Sequence, residues 1–175
     1  MIRALVFGLA ALTLAACSGR PDLDTQLGGP SMALEEYFDG EIAAWGQVQD
    51  RFGTVRSRFE VDITGTWDGE TLTLVEDFVY DDARTEQRIW TLRKTGENTW
   101  AGTAPGVIGE ATGEVRGDTF NWRYTIDLPL GDGETLRADF DDWMWRFDED
   151  RVLNRAYMNR FGVRIAEVII FFERR

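Results

Sequence analysis

Apolar and polar residues alternate along several parts of this chain, most clearly within residues 58–67 and 120–128. A period of two places alternate side chains on opposite faces of a β-strand, so the pattern predicts strands with one buried face. The apolar members share one phase in each run: Phe59, Val61, Ile63 and Trp67, then Phe120, Trp122, Tyr124, Ile126 and Leu128.

Short clusters of turn-forming residues separate the strand-like runs. Asp68-Gly69, between two such runs, is a strong signal for a two-residue hairpin. Similar clusters occur at 51–53, 81–83, 95–98, 105–106, 117–118, 131–133, 148–150 and 161–162. Nine turns predict about ten strands, and only Ser31–Phe38 is expected to form a short helix, with Ser31 as its cap.

A series of antiparallel strands leaves two unpaired edges unless the sheet closes on itself. The last apolar run, Val163–Phe172, is suited to pair with the first strand. We therefore expect an all-β fold, a single antiparallel up-and-down β-barrel of about ten strands. A β-sandwich is the main alternative. A transmembrane barrel is disfavoured, because its strands would turn apolar residues outward around a polar lumen.

Two charged residues fall on the predicted inner face. Glu76 shares its strand face with four core-type residues, and Arg88 shares the next strand's face with Trp90 and Leu92. The short connection at 81–84 makes Glu76 and Arg88 cross-strand neighbours. Because inward charges are costly alone and tolerable as a hydrogen-bonded pair, we predict an internal ion pair. This pair either lines a ligand cavity or only fixes the strand register.

The hydrophobic phase changes within residues 136–147: Leu136, Ala138 and Phe140 are even-numbered, whereas the aromatic residues Trp143, Trp145 and Phe147 are odd-numbered. Either a β-bulge at Asp141 and Asp142 shifts the register, or Asp142 and Arg146 face inward and the tryptophans outward. Bulges are frequent beside functional sites, which makes Asp142 a candidate for the cavity; solvated aspartates at a sheet bend are the alternative. Two weaker candidates lie among apolar residues of late strands: Asn154 and Glu167.

The start of the chain has the features of an exported, lipid-modified protein. After Arg3, the apolar run Ala4–Ala16 is shorter than the roughly 20 residues that span a bilayer, but it has the length of a signal peptide. The run ends in Leu14-Ala15-Ala16-Cys17, which resembles the bacterial lipobox, and Cys17 is the only cysteine. An ordinary secreted protein with a free thiol is the alternative. We expect three parts: a lipoprotein signal peptide at 1–16, acylated Cys17 with a flexible tether at 17–31, and the barrel domain at 32–175.

Acylation of Cys17 also predicts a location. Two or more acyl chains anchor a protein stably, so the lipid bilayer is an expected partner. Ser18, rather than an aspartate, follows the cysteine. By analogy with enterobacterial sorting, we expect a lipid-anchored protein of the cell envelope, on the periplasmic face of the outer membrane.

Composition excludes several function classes. The formal net charge is −12, and removal of a signal peptide that contains only Arg3 as a charged residue makes the mature chain more acidic still. Such a surface is repelled by nucleic acid and by anionic headgroups, so no nucleic-acid partner is expected. The sequence has no histidine, which excludes histidine-ligated haem, His-containing zinc sites and Ser-His-Asp triads. We assign no catalytic residue, metal ligand or cofactor.

Several spaced motifs along the chain form one recognisable set: Tyr37-Phe38-x-Gly40, Trp45-Gly46, Asp50-Arg51-x-Gly53, Glu76-x-Phe78-x-Tyr80, Arg88-x-Trp90, Trp122-x-Tyr124, Asp141-Asp142-Trp143-Met144 and Phe161-Gly162. The set resembles an uncharacterised family of small proteobacterial lipoproteins, catalogued as a domain of unknown function. The resemblance covers nearly the whole mature chain and implies a calycin barrel, the architecture of lipocalins and fatty-acid-binding proteins. It carries over no activity or catalytic residue. The lipocalin Gly-x-Trp signature is missing from its usual place.

These features together predict a binding protein, a tethered barrel that holds a small hydrophobic or amphiphilic ligand. A structural envelope protein with a filled barrel is one alternative. The other is an isomerase, cyclase or hydrolase in which Glu76 and Asp142 act as acid and base. The predicted ligand-binding residues are Glu76, Arg88, Trp90, Trp122, Tyr124, Phe140 and Asp142.

Overall fold

The computed structural model describes residues 19–24, 28–131 and 133–175. The predicted signal peptide at 1–16, Cys17, Ser18 and residues 25–27 of the predicted tether lie outside the described residues. No helix in the described part of the chain is long and apolar enough to cross a membrane. The elements in chain order are α1 (Leu34–Tyr37), β1 (Gly40–Asp50), β2 (Val55–Trp67), β3 (Thr71–Tyr80), β4 (Thr85–Lys94), β5 (Thr99–Thr103), β6 (Val107–Arg116), β7 (Thr119–Gly131), β8 (Glu134–Arg146), β9 (Arg151–Arg160) and β10 (Val163–Arg174).

The ten strands form one closed barrel. Each strand pairs in antiparallel fashion with the next one along the chain, and β10 returns to pair with β1. The closing seam runs from Ile42 opposite Arg174 to Asp50 opposite Ala166. Each of the predicted turns falls at a connection between strands. The predicted all-β, up-and-down barrel of about ten strands is therefore confirmed.

The two ends of the barrel differ. The turns after β1, β3, β5, β7 and β9 form one end, here called the open end. At the other end, the closed end, α1 lies across the barrel with Leu34 and Phe38 facing the interior. The Tyr37 hydroxyl donates a hydrogen bond to the Asp150 carbonyl (3.0 Å). A Cβ atom on Gly65 would lie only 1.6 Å from the Phe38 carbonyl oxygen, so glycine allows the helix to approach β2 this closely.

The predicted helix is shorter than Ser31–Phe38, and Ser31 is not its cap. Ala33 is the N-cap residue, and no side chain caps the helix. The Met32 N–H donates instead to the Gly117 carbonyl (2.8 Å), which ties the incoming chain to the barrel before the helix can begin. The Ser31 carbonyl accepts a hydrogen bond from Arg146 (2.9 Å).

The core of the described chain begins at Met32 and follows the inner faces of the strands. The apolar residues of the alternating runs that predicted β2 and β7 belong to it or pack against it, with two exceptions: Leu128 packs against a smaller cluster, and Ile126 is buried outside both clusters. At the closed end, Trp67 and Trp100 meet edge to face at 5.9 Å. Since the helix, the ten strands and this core lie after residue 31, the chain without residues 1–16 contains what the barrel needs to fold.

Candidate functional site

The barrel interior holds a cavity of about 450 Å³. Its wall is mostly apolar and aromatic, and Leu34 and Phe38 form its floor at the closed end. At the open end the lining reaches the exposed residues Arg56, Arg84 and Leu130, so the cavity has a mouth there. Ligand cavities in proteins usually measure about 300–1,000 Å³, and this volume suits one small molecule. The barrel is therefore not filled by its own side chains.

The strand register brings every predicted ligand-binding residue to this one cavity. Their inward orientation follows from the period of two along β3, β4, β7 and β8. Whether they contact a ligand stays a prediction. The cavity-lining residues from the predicted set are Glu76, Arg88, Trp90, Trp122, Tyr124, Phe140 and Asp142.

Glu76 on β3 stands directly opposite Arg88 on β4, as the hairpin connection predicted. The predicted ion pair between them is wrong, however. The Arg88 guanidinium donates to Oε1 of Glu86 (2.7 Å), which lies two residues earlier on the same strand face. The Tyr80 hydroxyl donates to the other oxygen of Glu86 (3.0 Å). Glu86 reaches the guanidinium along its own strand, so it is the carboxylate that takes the ion pair.

The Glu76 carboxyl group has no hydrogen-bond partner among the described residues, and its accessible surface faces the cavity. Burial raises its pKa to about 7, and the nearby positive charge of Arg88 offsets only part of that rise. For Arg88, burial acts to lower the pKa, but Glu76, Tyr124 and Glu86 hold the pKa above its usual value. Glu76 is therefore a proton-exchanging group near neutral pH.

Asp142 on β8 faces inward without a bulge. Asp141 and Asp142 pair in continuous register with β7 on one side and with β9 on the other. Of the two arrangements that the phase change allowed, the inward-facing Asp142 is the one that forms. Asn121 on β7 donates to both Asp141 Oδ1 (2.8 Å) and the Asp142 carbonyl (2.9 Å), which holds this part of β8 in place.

The Asp142 side chain is 7% exposed and only partly satisfied. Its Oδ2 accepts a hydrogen bond from the Tyr124 hydroxyl (3.3 Å), whereas its Oδ1 has no partner. Burial raises the pKa of Asp142 to about 8, since it outweighs the opposing hydrogen bond from Tyr124. At neutral pH this carboxyl group is largely protonated.

Aromatic rings line the wall around this polar cluster. Tyr124 stacks on Phe140 with ring centroids 5.0 Å apart and an interplanar angle of 4°. Trp90 meets Tyr124 edge to face at 5.1 Å and Trp122 at 5.7 Å. Such contacts hold the rings in fixed orientations, which gives the cavity a defined apolar shape beside its polar groups.

Glu86, the carboxylate that pairs with Arg88, was not among the predicted residues, and one predicted candidate lies elsewhere. Glu86 was visible in the sequence as Glu86-x-Arg88, because residues two apart on a strand share a face. Of the weaker candidates, Asn154 lines the cavity and is 1% exposed. Glu167 does not line it: its strand turns Val168 and Ile170 inward, and Glu167 pairs on the outer surface with Arg155 (2.7 Å) and Arg164 (2.8 Å).

The cavity thus combines an apolar body with one polar cluster, here called the acid cluster: Glu76, Glu86, Arg88, Tyr124 and Asp142. It offers hydroxyl and carboxyl groups that donate or accept hydrogen bonds, while its single cation is already paired. Within residues 19–24, 28–131 and 133–175, no group of three or more acidic or thiol side chains is arranged to hold a metal ion.

Comparison with known proteins adds a family and a fold. A family model described as "Protein of unknown function (DUF3833)" matches residues 11–174. Among solved structures, the chain is similar to the S-type phycobiliprotein lyase CPES from Guillardia theta, with a TM-score of 0.60 and 12% identity over 82% of this chain and 93% of that one. It also matches EF1p2_mFAP2b bound to DFHBI, with a TM-score of 0.44 and 9% identity over 79% of this chain and 94% of that one. No curated protein sequence matches significantly. The likeness to the lyase shows the fold, a calycin-like barrel.

Proposed function

This chain belongs to the family described as protein of unknown function (DUF3833), whose description assigns no activity, and we propose its function from the cavity. The barrel binds one small amphiphilic molecule, with the apolar part among the aromatic rings and the polar head at the acid cluster. The observation that carries the proposal is the open cavity of about 450 Å³ with an incompletely satisfied polar cluster in its wall. A filled structural barrel would have neither feature.

The acid cluster favours an uncharged, hydrogen-bonding head over a carboxylate. Arg88 is paired with Glu86 and has no free charge to offer a fatty acid. A carboxylate head would add a second negative charge beside Glu76, which is partly ionised near neutral pH, and this would be costly in the buried site. A hydroxyl or amide head, in contrast, can donate to these carboxyl groups and accept from their protonated forms.

The location of this binding activity forms the second part of the proposal. The lipobox-like Leu14-Ala15-Ala16-Cys17 supports acylation of Cys17 and a tether that keeps the barrel at the periplasmic face of the outer membrane. An envelope lipoprotein has lipids and other amphiphiles as its immediate surroundings, so the ligand class and the location support each other.

Carboxylate-based catalysis is a second candidate function. Glu76 and Asp142 line the same cavity, and their pKa values, raised by burial to about 7 and about 8, lie in the range that general acids and bases use. A lyase shares the barrel fold, so the fold itself does not separate the two functions. Conversion of a bound molecule, rather than its release unchanged, would favour the enzyme.

The proposal is tested with acyl-free protein that carries Cys17→Ala and a conventional cleavable signal peptide in place of residues 1–16, so that it is exported to the periplasm without acylation and can be purified gently. Native mass spectrometry and analysis of an organic extract would detect a molecule that travels with the barrel. We expect a stoichiometric amphiphile that is lost in Glu76→Gln or Arg88→Gln.

The matched controls are Glu60→Gln and Arg58→Gln, which make the same changes at exposed positions of β2. These variants should retain the bound molecule. A barrel that is empty as purified, and still empty after incubation with envelope lipids, would contradict the proposal.

A further inference from the structure

Three neighbouring turns at the open end expose large apolar side chains. Phe52 lies in the β1–β2 turn and is 78% exposed, Leu130 is the penultimate residue of β7 and is 61% exposed, and Phe161 lies in the β9–β10 turn and is 89% exposed. Side chains of this size at the tips of hairpins contribute nothing to the core. They surround one side of the mouth of the cavity.

Barrel closure brings these turns together. Because β10 pairs with β1, the Arg51 N–H donates to the Ile165 carbonyl (3.1 Å), so the β1–β2 and β9–β10 turns are adjacent. Val55 and Val163 flank the two phenylalanines and are 40% and 53% exposed. We call Phe52, Leu130 and Phe161, with Arg51 and Arg160, the apolar rim.

The backbone at Phe161 is unfavourable for a phenylalanine. Phe161 has a φ of 50° and Gly162 a φ of 76°, the mirror-image turn that asparagine and glycine form most readily. A bulky residue in this left-handed region carries a conformational cost. The chain keeps a phenylalanine here although its side chain packs into no core, which indicates a role outside the barrel.

Two positively charged residues of the open end lie against the phenylalanines of the apolar rim. The Arg51 guanidinium lies over the Phe52 ring (4.8 Å to the centroid), and that of Arg160 lies over the Phe161 ring (5.1 Å). Neither arginine has a carboxylate partner among the described residues. The two arginines are thus exposed and available to an anion.

The acidic groups of the open end lie mainly elsewhere. The β3–β4 turn on the other side of the mouth exposes Asp81 and Asp82. Near the apolar rim, Asp50 is paired with Arg56 (2.5 Å), which leaves Glu134 at the start of β8 as the exposed acid among the described residues there; Asp132 of the β7–β8 turn lies outside them. The chain as a whole has a net charge of −12, so the unpaired arginines at this rim are a local exception.

We infer that the apolar rim docks on the surface of an anionic lipid bilayer. Phenylalanine and leucine side chains enter the headgroup region while neighbouring arginines contact lipid phosphates, the combination that peripheral membrane proteins use. Docking by this rim places the mouth of the cavity at the membrane, so an amphiphile can enter without crossing water. The inference rests on the rim alone and stands whether or not the cavity binds a ligand.

The test measures binding of the acyl-free protein to vesicles of phosphatidylcholine with half phosphatidylglycerol, and to vesicles of phosphatidylcholine alone. We expect binding to the anionic vesicles that weakens with added salt. The double variant Phe52→Ser, Phe161→Asn should bind at least roughly tenfold more weakly, since it removes two apolar side chains from the interface. Asparagine suits the left-handed position, so this variant keeps its turn.

Phe147→Ser is the matched control, because Phe147 is 60% exposed in a turn at the closed end. It should leave vesicle binding unchanged. Arg51→Gln and Arg160→Gln should each weaken binding to anionic vesicles by about fivefold. The inference is overturned if Phe147→Ser loses as much vesicle binding as the double variant, if the protein binds both vesicle types equally, or if it binds neither. The last result would leave a protein partner as the reason for the rim.

Discussion

Burial of two carboxyl groups in one cavity links the protonation of Glu76 and Asp142 to the stability of the barrel. Burial raises the pKa of Glu76 from 4.5 to about 7 and that of Asp142 from 3.8 to about 8. At a pH between the pKa values of the unfolded and the folded state, the folded barrel binds more protons than the unfolded chain does. The contribution of these two groups to the free energy of unfolding is therefore largest in acid and falls as the pH rises through the pKa values of the folded state.

We expect this decline to lie between about pH 4 and pH 8 and to become shallower in Glu76→Gln and in Asp142→Asn. Because one pKa unit corresponds to about 1.4 kcal/mol, Glu76→Gln should remove up to roughly 3 kcal/mol of pH-dependent stability and Asp142→Asn up to roughly 6 kcal/mol. Urea unfolding across this pH range measures the effect, with Glu60→Gln as the control at an exposed position. If the slope of stability against pH is unchanged in both cavity variants, the two carboxyl groups have ordinary pKa values in the folded barrel.

At the scale of single elements, the short helix α1 decides which end of the barrel is open. Four helical residues would not persist alone in water, so α1 depends on its contacts with the strands. Phe38 meets Phe172 of β10 edge to face at 6.0 Å, and its carbonyl lies against Gly65 of β2. The helix is therefore held by packing and by the absence of a side chain at one position.

Gly65→Ala should displace α1 and destabilise the barrel. The new Cβ atom would overlap the Phe38 carbonyl, where the obstacle is backbone and not a flexible side chain. We expect a loss of about 1–3 kcal/mol in the free energy of unfolding, the usual cost of overpacking a core. Thermal and urea unfolding measure it. Thr66→Ala, at an exposed position of the same strand, should cost much less; equal losses would mean that the strand, and not the helix contact, is affected.

For the whole molecule, the predicted tether and the apolar rim lie at opposite ends of the barrel. The chain enters at the closed end, where the Gly29 N–H donates to Asp118 (3.0 Å). Residues 17–28 would span about 40 Å when extended, and a ten-residue strand is about 33 Å long. The tether can thus reach the membrane on which the rim docks, once the exposed pair of Asp24 and Arg116 opens.

This arrangement at the membrane depends on the predicted acylation of Cys17. We expect mass spectrometry of the N-terminal peptide to find cleavage before Cys17 and two or three acyl chains on that residue. Cys17→Ser should release the protein from the membrane pellet into the periplasmic extract, since one weak docking surface alone does not anchor a protein stably. Cleavage after Ala16 with a free thiol would identify an ordinary secreted protein instead.

Local patterns in the sequence were sufficient to predict the strands, the turns and the closed barrel. Alternation along residues 120–128 predicted which side chains of β7 face inward, because a strand's period of two does not depend on distant contacts. Closure followed from the apolar last run at 163–172. The resemblance to a family of unknown function with a calycin-like barrel is also confirmed.

Only the tertiary structure decided how the inward-facing groups pair and what they enclose. Arg88 faces both Glu76 and Glu86, and side-chain geometry selects Glu86. The phase change near Asp142 allowed two arrangements, and pairing with β7 and β9 selects the one without a bulge. The cavity volume and the apolar rim likewise arise from packing and closure, which join turns more than 100 residues apart in the sequence and leave no trace in a local pattern.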